Sequence, residues 1–355
     1  MELWNKTKQA ERDDVWRYRD MWPETSGVST QLVLGDTVPR YESIPVGECA
    51  LETLWVQRED HNPFGSHKDR SLAVQVALYR EEGFRSVCIS SSGNAAIAAA
   101  AACREAGMTV FACMSPDTAR GKVEPVLELG AHVILSTRAI GLAKELVALG
   151  IPNLRPSVDD RALLGYESIA YFLAEKGPVE SVDSIFCYTT SGSTLAGIWQ
   201  GWQRLVEQGW TERIPGLHAA QAGQITSIAE RFGESTGQVG RSVIGDLGVR
   251  RTRRLGPVVR AIRASNGYAW AMRDEAILEA QDWMAARGVS VCLESACSVA
   301  AALEAGRRGK VRTPLVLLTG HPDRDQKGPV SDHPHLHRVE TLDEFQALFP
   351  QEGTS

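Results

Sequence analysis

The sequence predicts an α/β fold in two domains with mainly parallel sheets. Three observations carry this. Short β-rich apolar runs alternate with helical stretches between residues 84 and 150, the pattern of parallel βαβ units. The same alternation returns after Ser184. At about 150 residues per domain, a chain of 355 residues reaches two domains or one large one.

Each element follows from its own stretch. Ser86–Ser91 (SVCISS) reads as a strand and Asn94–Gly107 as an Ala-rich helix closed by glycine. Thr109–Ser115 is a strand, Gly121–Gly130 a helix, His132–Thr137 a strand and Ala139–Gly150 a helix. In the second region Ser184–Thr189 (SIFCYT) is a buried strand. A helix follows from Leu195, with Ile198, Trp199, Trp202, Leu205 and Val206 on one face. Asp274–Gly288 is an amphipathic helix, Ser290–Leu293 a strand, Ala296–Gly306 a helix and Thr313–Leu318 a last buried strand. Residues 232–258, rich in Gly and Arg, read as loop. So does the tail Gly328–Leu336, ahead of a short helix at Leu342–Leu348.

Composition narrows the function classes. The chain has 38 basic and 44 acidic residues, a net charge of −6, which argues against a nucleic-acid or anionic-membrane surface. Its seven cysteines are scattered without a C-x-x-C pair, so neither a disulfide framework nor a zinc site is expected. Residues 1–22 are charged and Trp-rich, unlike a signal peptide, and the apolar run Ala95–Cys103 is too short to span a bilayer. The expected location is cytoplasmic.

Four segments could carry chemistry. In the first, Pro63 and Gly65 turn the chain so that Ser66-His67-Lys68 reaches the N-terminus of an apolar helix, Ser71–Tyr79. The positive end of the helix dipole favours a neutral lysine amine there, as a Schiff-base lysine needs. By itself the segment favours the other reading, a solvated lysine in a charged helix cap. The second, Ser90-Ser91-Ser92-Gly93-Asn94, joins strand to helix and suits either a carboxylate or a capping turn on Ser92 or Asn94. The third, Thr189-Thr190-Ser191-Gly192-Ser193-Thr194, offers small residues, backbone amides and hydroxyls to a phosphate. It lacks a Walker lysine and a G-x-G-x-x-G pattern, so a cofactor monophosphate suits it better. The fourth, Leu318-Thr319-Gly320-His321, ends the last strand with a hydroxyl.

Taken in order, these segments resemble the tryptophan-synthase-β superfamily of pyridoxal-phosphate enzymes (fold type II), and within it threonine synthase, from about Leu54 to Asp325. The matching stretches are EDHNPFGSHKDR, SSSGNAA, TSGSTLAGIW and LLTGHPDRD, with LLGYESIAY, AIRASNGYAW and LESACSVAA as weaker ones. The resemblance implies that Lys68 holds pyridoxal 5'-phosphate as a Schiff base and moves protons as general acid and base. It assigns Asn94 to the ring oxygen, Thr190, Ser191, Gly192, Ser193 and Thr194 to the phosphate, and Thr319 to the pyridine nitrogen. Ser91 and Ser92 would hold the substrate carboxylate, and Lys122 would add positive charge for the substrate, with Arg155 and Arg161 available as well. It places the cofactor in the cleft between a large domain (1–74 and 161–355) and a small mobile one (75–160), and suggests a homodimer.

The expected activity is that of a lyase or synthase, threonine synthase-like, converting O-phosphohomoserine to threonine by elimination and replacement at the β/γ carbon. His67 stands where threonine synthases carry an aromatic residue, and Ala95 where they carry a threonine. These two departures leave open β-replacement or deamination of a serine- or threonine-derived amino acid. A cofactor-binding but inactive partner subunit is the alternative of another class. His333, His335 and His337 are expected in a solvated loop rather than on a metal. Arg250, Arg251, Arg253 and Arg254 suit phosphate, nucleic acid, or a solvated or subunit-contact face, and the acidic chain favours the last.

Overall fold

The computed structural model describes residues 4–6, 11–29, 31–47, 50–245, 252–322, 328 and 330–350. Strands β1 (Tyr41–Ile44) and β2 (Leu54–Gln57) precede helix α1 (Lys68–Glu81). Then β3 (Ser86–Ser90), α2 (Asn94–Ala106), β4 (Thr109–Met114), α3 (Arg120–Glu128), β5 (His132–Leu135) and α4 (Ala139–Ala148) alternate. Helix α5 (Ala162–Lys176) leads to β6 (Ser184–Tyr188), α6 (Ser193–Glu207), β7 (Gly216–Ala222), α7 (Leu255–Ala264) and β8 (Ala269–Met272). Helices α8 (Asp274–Ala285) and α9 (Leu293–Arg307), strands β9 (Pro314–Leu317) and β10 (Leu336–Arg338), and helix α10 (Leu342–Leu348) complete the order.

The chain divides into two units. The first comprises residues 1–11, 38–67 and 166–322; the second comprises 12–37, 68–165 and 323–355. In the first, a six-stranded sheet runs β1-β2-β9-β6-β7-β8, parallel except for the β1–β2 pair. Every residue of β9 (PLVL) is buried, as expected of a parallel strand covered on both faces. Helices α8 and α9 pack together, and Ile277, Met284, Val299 and Leu303 meet Val56, Phe186, Trp270 and Val316 in one core.

The second unit holds a four-stranded parallel sheet, β10-β5-β4-β3. Helix α2 is buried continuously from Ala95 to Cys103 and packs on α1. Its short side chains permit that burial. The helix ends at Gly107 in the left-handed region (φ 62), whose amide donates to the carbonyls of Arg104 and Cys103. Among the described residues, no helix is long and apolar enough to cross a membrane.

Most expected strands and helices form within a few residues of their expected ends. Three expectations differ. Ser290–Leu293 is not a strand: Val289 and Val291 are buried in the core, but the segment pairs with no strand and Leu293 already opens α9. The expected loop holds from residue 330 to 335 but ends one residue early, because Leu336 opens a strand, Leu336–Arg338, that pairs with β5 as its sheet edge. Within 232–258, residues 233–245 have neither helix nor strand, 246–251 lie outside the described residues, and α7 begins at Leu255. The expected small domain, 75–160, falls inside the second unit, which also takes in 12–37 and the tail. Pairing of β10 with β5 ties in the tail. The Thr37 carbonyl accepts from Arg70 Nη2, and Ser29 Oγ donates to Glu81 (2.9 Å), which tie 12–37 to α1.

Candidate active site

The segment before Lys68 is built from buried polar groups that hydrogen-bond to one another. Gln57, the last residue of β2, donates through Nε2 to Glu59 Oε1 (2.7 Å), and Asn62 Nδ2 donates to Glu59 Oε2 (2.7 Å). Asn62 Nδ2 also reaches the Ser66 carbonyl (3.1 Å), and its own carbonyl accepts from the Gly65 amide (2.7 Å). Gly65 sits at φ 75, a conformation that other residues adopt at a cost. The turn Pro63–Gly65 is therefore what delivers His67.

His67 fastens this loop to two of the other segments. The Thr319 carbonyl accepts from both the His67 amide (3.2 Å) and its Nδ1 (2.8 Å). A carbonyl only accepts, so Nδ1 carries the proton; in the neutral ring Nε2 then accepts from the Thr194 hydroxyl (3.1 Å). The chain bridges Ser66 to Gly320 and bonds the His321 amide to the Gly65 carbonyl (2.9 Å). Thr319 is buried, and its amide donates to Ser295 Oγ (2.9 Å). The first, third and fourth segments thus meet at one ring.

The third segment links β6 to α6. Gly192 is at φ 89, and a Cβ there would lie 2.7 Å from Val258 Cγ2, so no other residue fits without displacement. The amides at the start of the 15-residue helix α6 have no intrahelical partner, and Ser191 Oγ stands 3.0 Å from Ser193 Oγ. Thr252 Oγ1 donates to the Ser191 carbonyl (2.8 Å) and Arg254 Nη1 to Ser193 Oγ (3.1 Å). Glycine backbone, helix-opening amides, hydroxyls and a buried guanidinium form a cradle suited to a phosphate. Thr190 and Ser191 are half-buried, and Gly192, Ser193 and Thr194 are buried.

The remaining candidates lie in the second unit. Lys68 is the first residue of α1, half-buried, immediately after His67. Asn94 is the first residue of α2, with Gly93 as N-cap and no side-chain capping bond, so neither Ser92 nor Asn94 serves as the cap. Ser91 and Asn94 are half-buried, and Ser92 is exposed. Lys122 lies half-buried in α3. Of the two extra cations, Arg161 pairs with Glu82 (2.8 Å) and covers the Tyr79 ring. The Arg155 guanidinium makes no hydrogen bond or ion pair with a described residue, and burial lowers its pKa.

Two set-aside features take different places. Arg254 is only 4% exposed, not part of a solvated face, because α7 packs it under the cradle; Arg253 is exposed, and Arg250 and Arg251 lie outside the described residues. His335 and His337 do not belong to a solvated loop. His337 lies on β10 and His335 in the turn just before it, both half-buried, and the His132 ring lies 4.4 Å from that of His335 and 5.3 Å from that of His337. Among the described residues no group of three or more His, Cys, Asp or Glu is placed to hold a metal. Ser295 was missed as a site residue, although its stretch LESACSVAA was legible; Thr252 and Val258 carried no local signal.

The fold is that of an α/β enzyme scaffold, and the cradle is suited to a phosphorylated cofactor. The chain belongs to the family described as pyridoxal-phosphate dependent enzyme, which matches residues 39–320, and its cofactor is pyridoxal phosphate. It is 29% identical to a threonine synthase of Methanosarcina acetivorans over 334 residues, covering 89% of this chain and 82% of that protein. A threonine synthase of Methanocaldococcus jannaschii is 26% identical over 327 residues, 88% of this chain and 80% of the other. Among solved structures, the O-acetylserine dependent cystathionine beta-synthase from Helicobacter pylori superposes with a TM-score of 0.67 at 19% identity, covering 83% of this chain and 95% of that one. That likeness establishes the fold.

Proposed function

We propose that the chain is a threonine synthase-like lyase, which eliminates a leaving group at the β/γ carbon of an amino acid and adds a nucleophile, with O-phosphohomoserine as substrate and threonine as product. The observation that carries the cofactor part is the His67 ring, which joins the lysine-bearing loop to both the Thr194 hydroxyl and the Thr319 carbonyl. The reaction type rests on the two threonine synthase relatives, each matching most of both chains.

Bound pyridoxal phosphate supplies an electron sink for the carbanion left when the α-proton is removed. The chain supplies the rest. Thr190, Ser191, Gly192, Ser193 and Thr194 hold the phosphate through amides and hydroxyls. Lys68 is the covalent anchor and the base that takes and returns protons at the substrate carbons. Asn94 would donate to the ring oxygen, and Thr319 would offer the ring nitrogen a neutral hydroxyl. Such a partner does not hold that nitrogen protonated as a carboxylate would, which favours loss of a β or γ group over transamination. Ser91 and Ser92 take the substrate carboxylate. Lys122, with Arg155 as the cation left without a described partner, faces an anionic substrate group.

A second reading, β-replacement or deamination of a serine- or threonine-derived amino acid, is favoured by Ala95, which is buried where a phosphate-binding threonine is usual. A visible-absorbance titration with O-phosphohomoserine, serine, threonine and O-acetylserine separates the two. The expected result is a spectral shift with phosphohomoserine alone and release of phosphate. A shift only with a non-phosphorylated amino acid would move the assignment to the second reading. The band of the lysine-bound cofactor should vanish in Lys68→Ala; an unchanged spectrum would refute the lysine's role.

A further inference from the structure

We propose that Arg254 is a positioning residue of the phosphate cradle, fixing the Ser193 hydroxyl so that the Ser191 hydroxyl is left as a hydrogen-bond donor toward the phosphate. This rests on the reading that residues 190–194 hold the cofactor phosphate, and it adds a residue outside that loop.

The direction of the hydrogen bonds follows from the donors. A guanidinium has only N–H groups, so Ser193 Oγ accepts from Arg254 Nη1 (3.1 Å). The single Ser193 proton must then point elsewhere. Ser191 Oγ, 3.0 Å away, is its neighbour in the loop. If Ser191 accepts that proton, its own is left to donate outward, and the chain runs from Arg254 through Ser193 to Ser191. An anion in the cradle is served by donors alone, and accepting from Arg254 keeps one Ser193 lone pair turned away from it. Absent the guanidinium, the two hydroxyls are free to turn a lone pair toward the phosphate.

The same short segment shapes the loop itself. Thr252 Oγ1 holds the Ser191 carbonyl (2.8 Å), and Val258 occupies the space where any side chain at Gly192 would lie. Arg254, between them in sequence, is buried at the start of α7, where a charge acts with less screening than at the surface. Its effect on a phosphate is therefore a property of the folded cradle rather than of a basic patch.

The test compares pyridoxal phosphate with pyridoxal, which lacks the phosphate. Dissociation constants are measured on the cofactor-free protein for wild type, Arg254→Met, Arg254→Lys and Ser193→Ala, with melting temperatures alongside. For Arg254→Met the expected result is roughly ten- to hundredfold weaker binding of pyridoxal phosphate, the range for a hydrogen bond to a charged group. Binding of pyridoxal should change less than about twofold on the same ground, because the lost donor serves only the phosphate. Arg254→Lys restores part of the affinity, and Ser193→Ala, which leaves the buried charge in place, shows the same selective loss. A phosphorus NMR titration gives an independent readout. The bound phosphate should remain dianionic in wild type between about pH 6 and 8, and should gain a titration in Arg254→Met, since its free second pKa is about 6. Equal losses for both ligands, or none, in Arg254→Met and Ser193→Ala would overturn the inference while leaving the cofactor reading intact. Wild-type protein that binds neither ligand would overturn that reading and the inference with it.

Discussion

His218 makes the stability of this protein depend on pH in a calculable way. Its ring lies in β7, 3% exposed, stacked on Phe186 of β6 at 4.3 Å and alongside Trp270 of β8 at 6.2 Å. Trp270 Nε1 donates to His218 Nδ1 (3.0 Å). An indole only donates, so Nδ1 must be the bare nitrogen, and a proton there would set N–H against N–H. Burial, far more than the opposing pull of Asp183, drives the pKa down to about 3 from an ordinary 6.5. The unfolded chain therefore takes up a proton below about pH 6.5 that the native protein refuses until about pH 3. Stability is full above the ordinary value and falls as pH drops, by about 1.4 kcal/mol per unit once the unfolded histidine is charged. Between about pH 7 and 5 the loss is ~2 kcal/mol. His218→Asn offers Trp270 a carbonyl acceptor that does not titrate. Urea unfolding of both proteins at the two pH values, followed by circular dichroism, should show the wild type losing about 2 kcal/mol more than the variant. Equal losses would refute the assignment of a buried neutral ring.

Two further outcomes follow from the second unit. Burial, then the neighbouring rings of His335 and His337, lowers the His132 pKa to about 4, and His337 is lowered as well. The docked His132 and His337 rings resist protonation, so acidification through the ordinary histidine range favours release of β10 from β5. Hydrogen exchange should show the β10 amides losing protection relative to those of β4 between about pH 7 and 5; an unchanged ratio would count against the histidine contacts. In α5, a Cβ at Gly165 would lie 2.2 Å from the Arg70 carbonyl of α1. Gly165→Ala should cost about 1–3 kcal/mol or more as the helices are forced apart, and a melting temperature equal to wild type would refute that contact.

Much of the site was legible because its chemistry is local. A Pro-Gly turn before a lysine, a serine-glycine loop between strand and helix, and a threonine closing a buried run are patterns within about ten residues, and each segment takes the helix start or strand end expected of it. The alternation from Ser86 to Ala148 was legible for the same reason: each strand is short, apolar and β-branched or sulfur-bearing, and each helix has its own period. Strands β7 (GLHAAQA) and β8 (AWAM) gave no such signal. Both are alanine-rich, and β7 also holds a histidine and a glutamine, His218 and Gln221, that only the fold buries. Ser290–Leu293 misled in the opposite sense, being apolar and extended without a partner strand.

The order and local chemistry of the cofactor segments are properties of the chain itself, since turn residues, hydroxyls and a helix-opening lysine act through their immediate neighbours. Three features come only from folding: β10 as a strand, His67 as the link between Thr194 and Thr319, and Arg254 as a buried donor to Ser193. Each depends on a partner some sixty to two hundred and fifty residues away. A histidine or arginine read by itself is a solvated polar side chain; which polar group it meets, and whether water is excluded there, is set by the packing of elements that the local sequence does not contain.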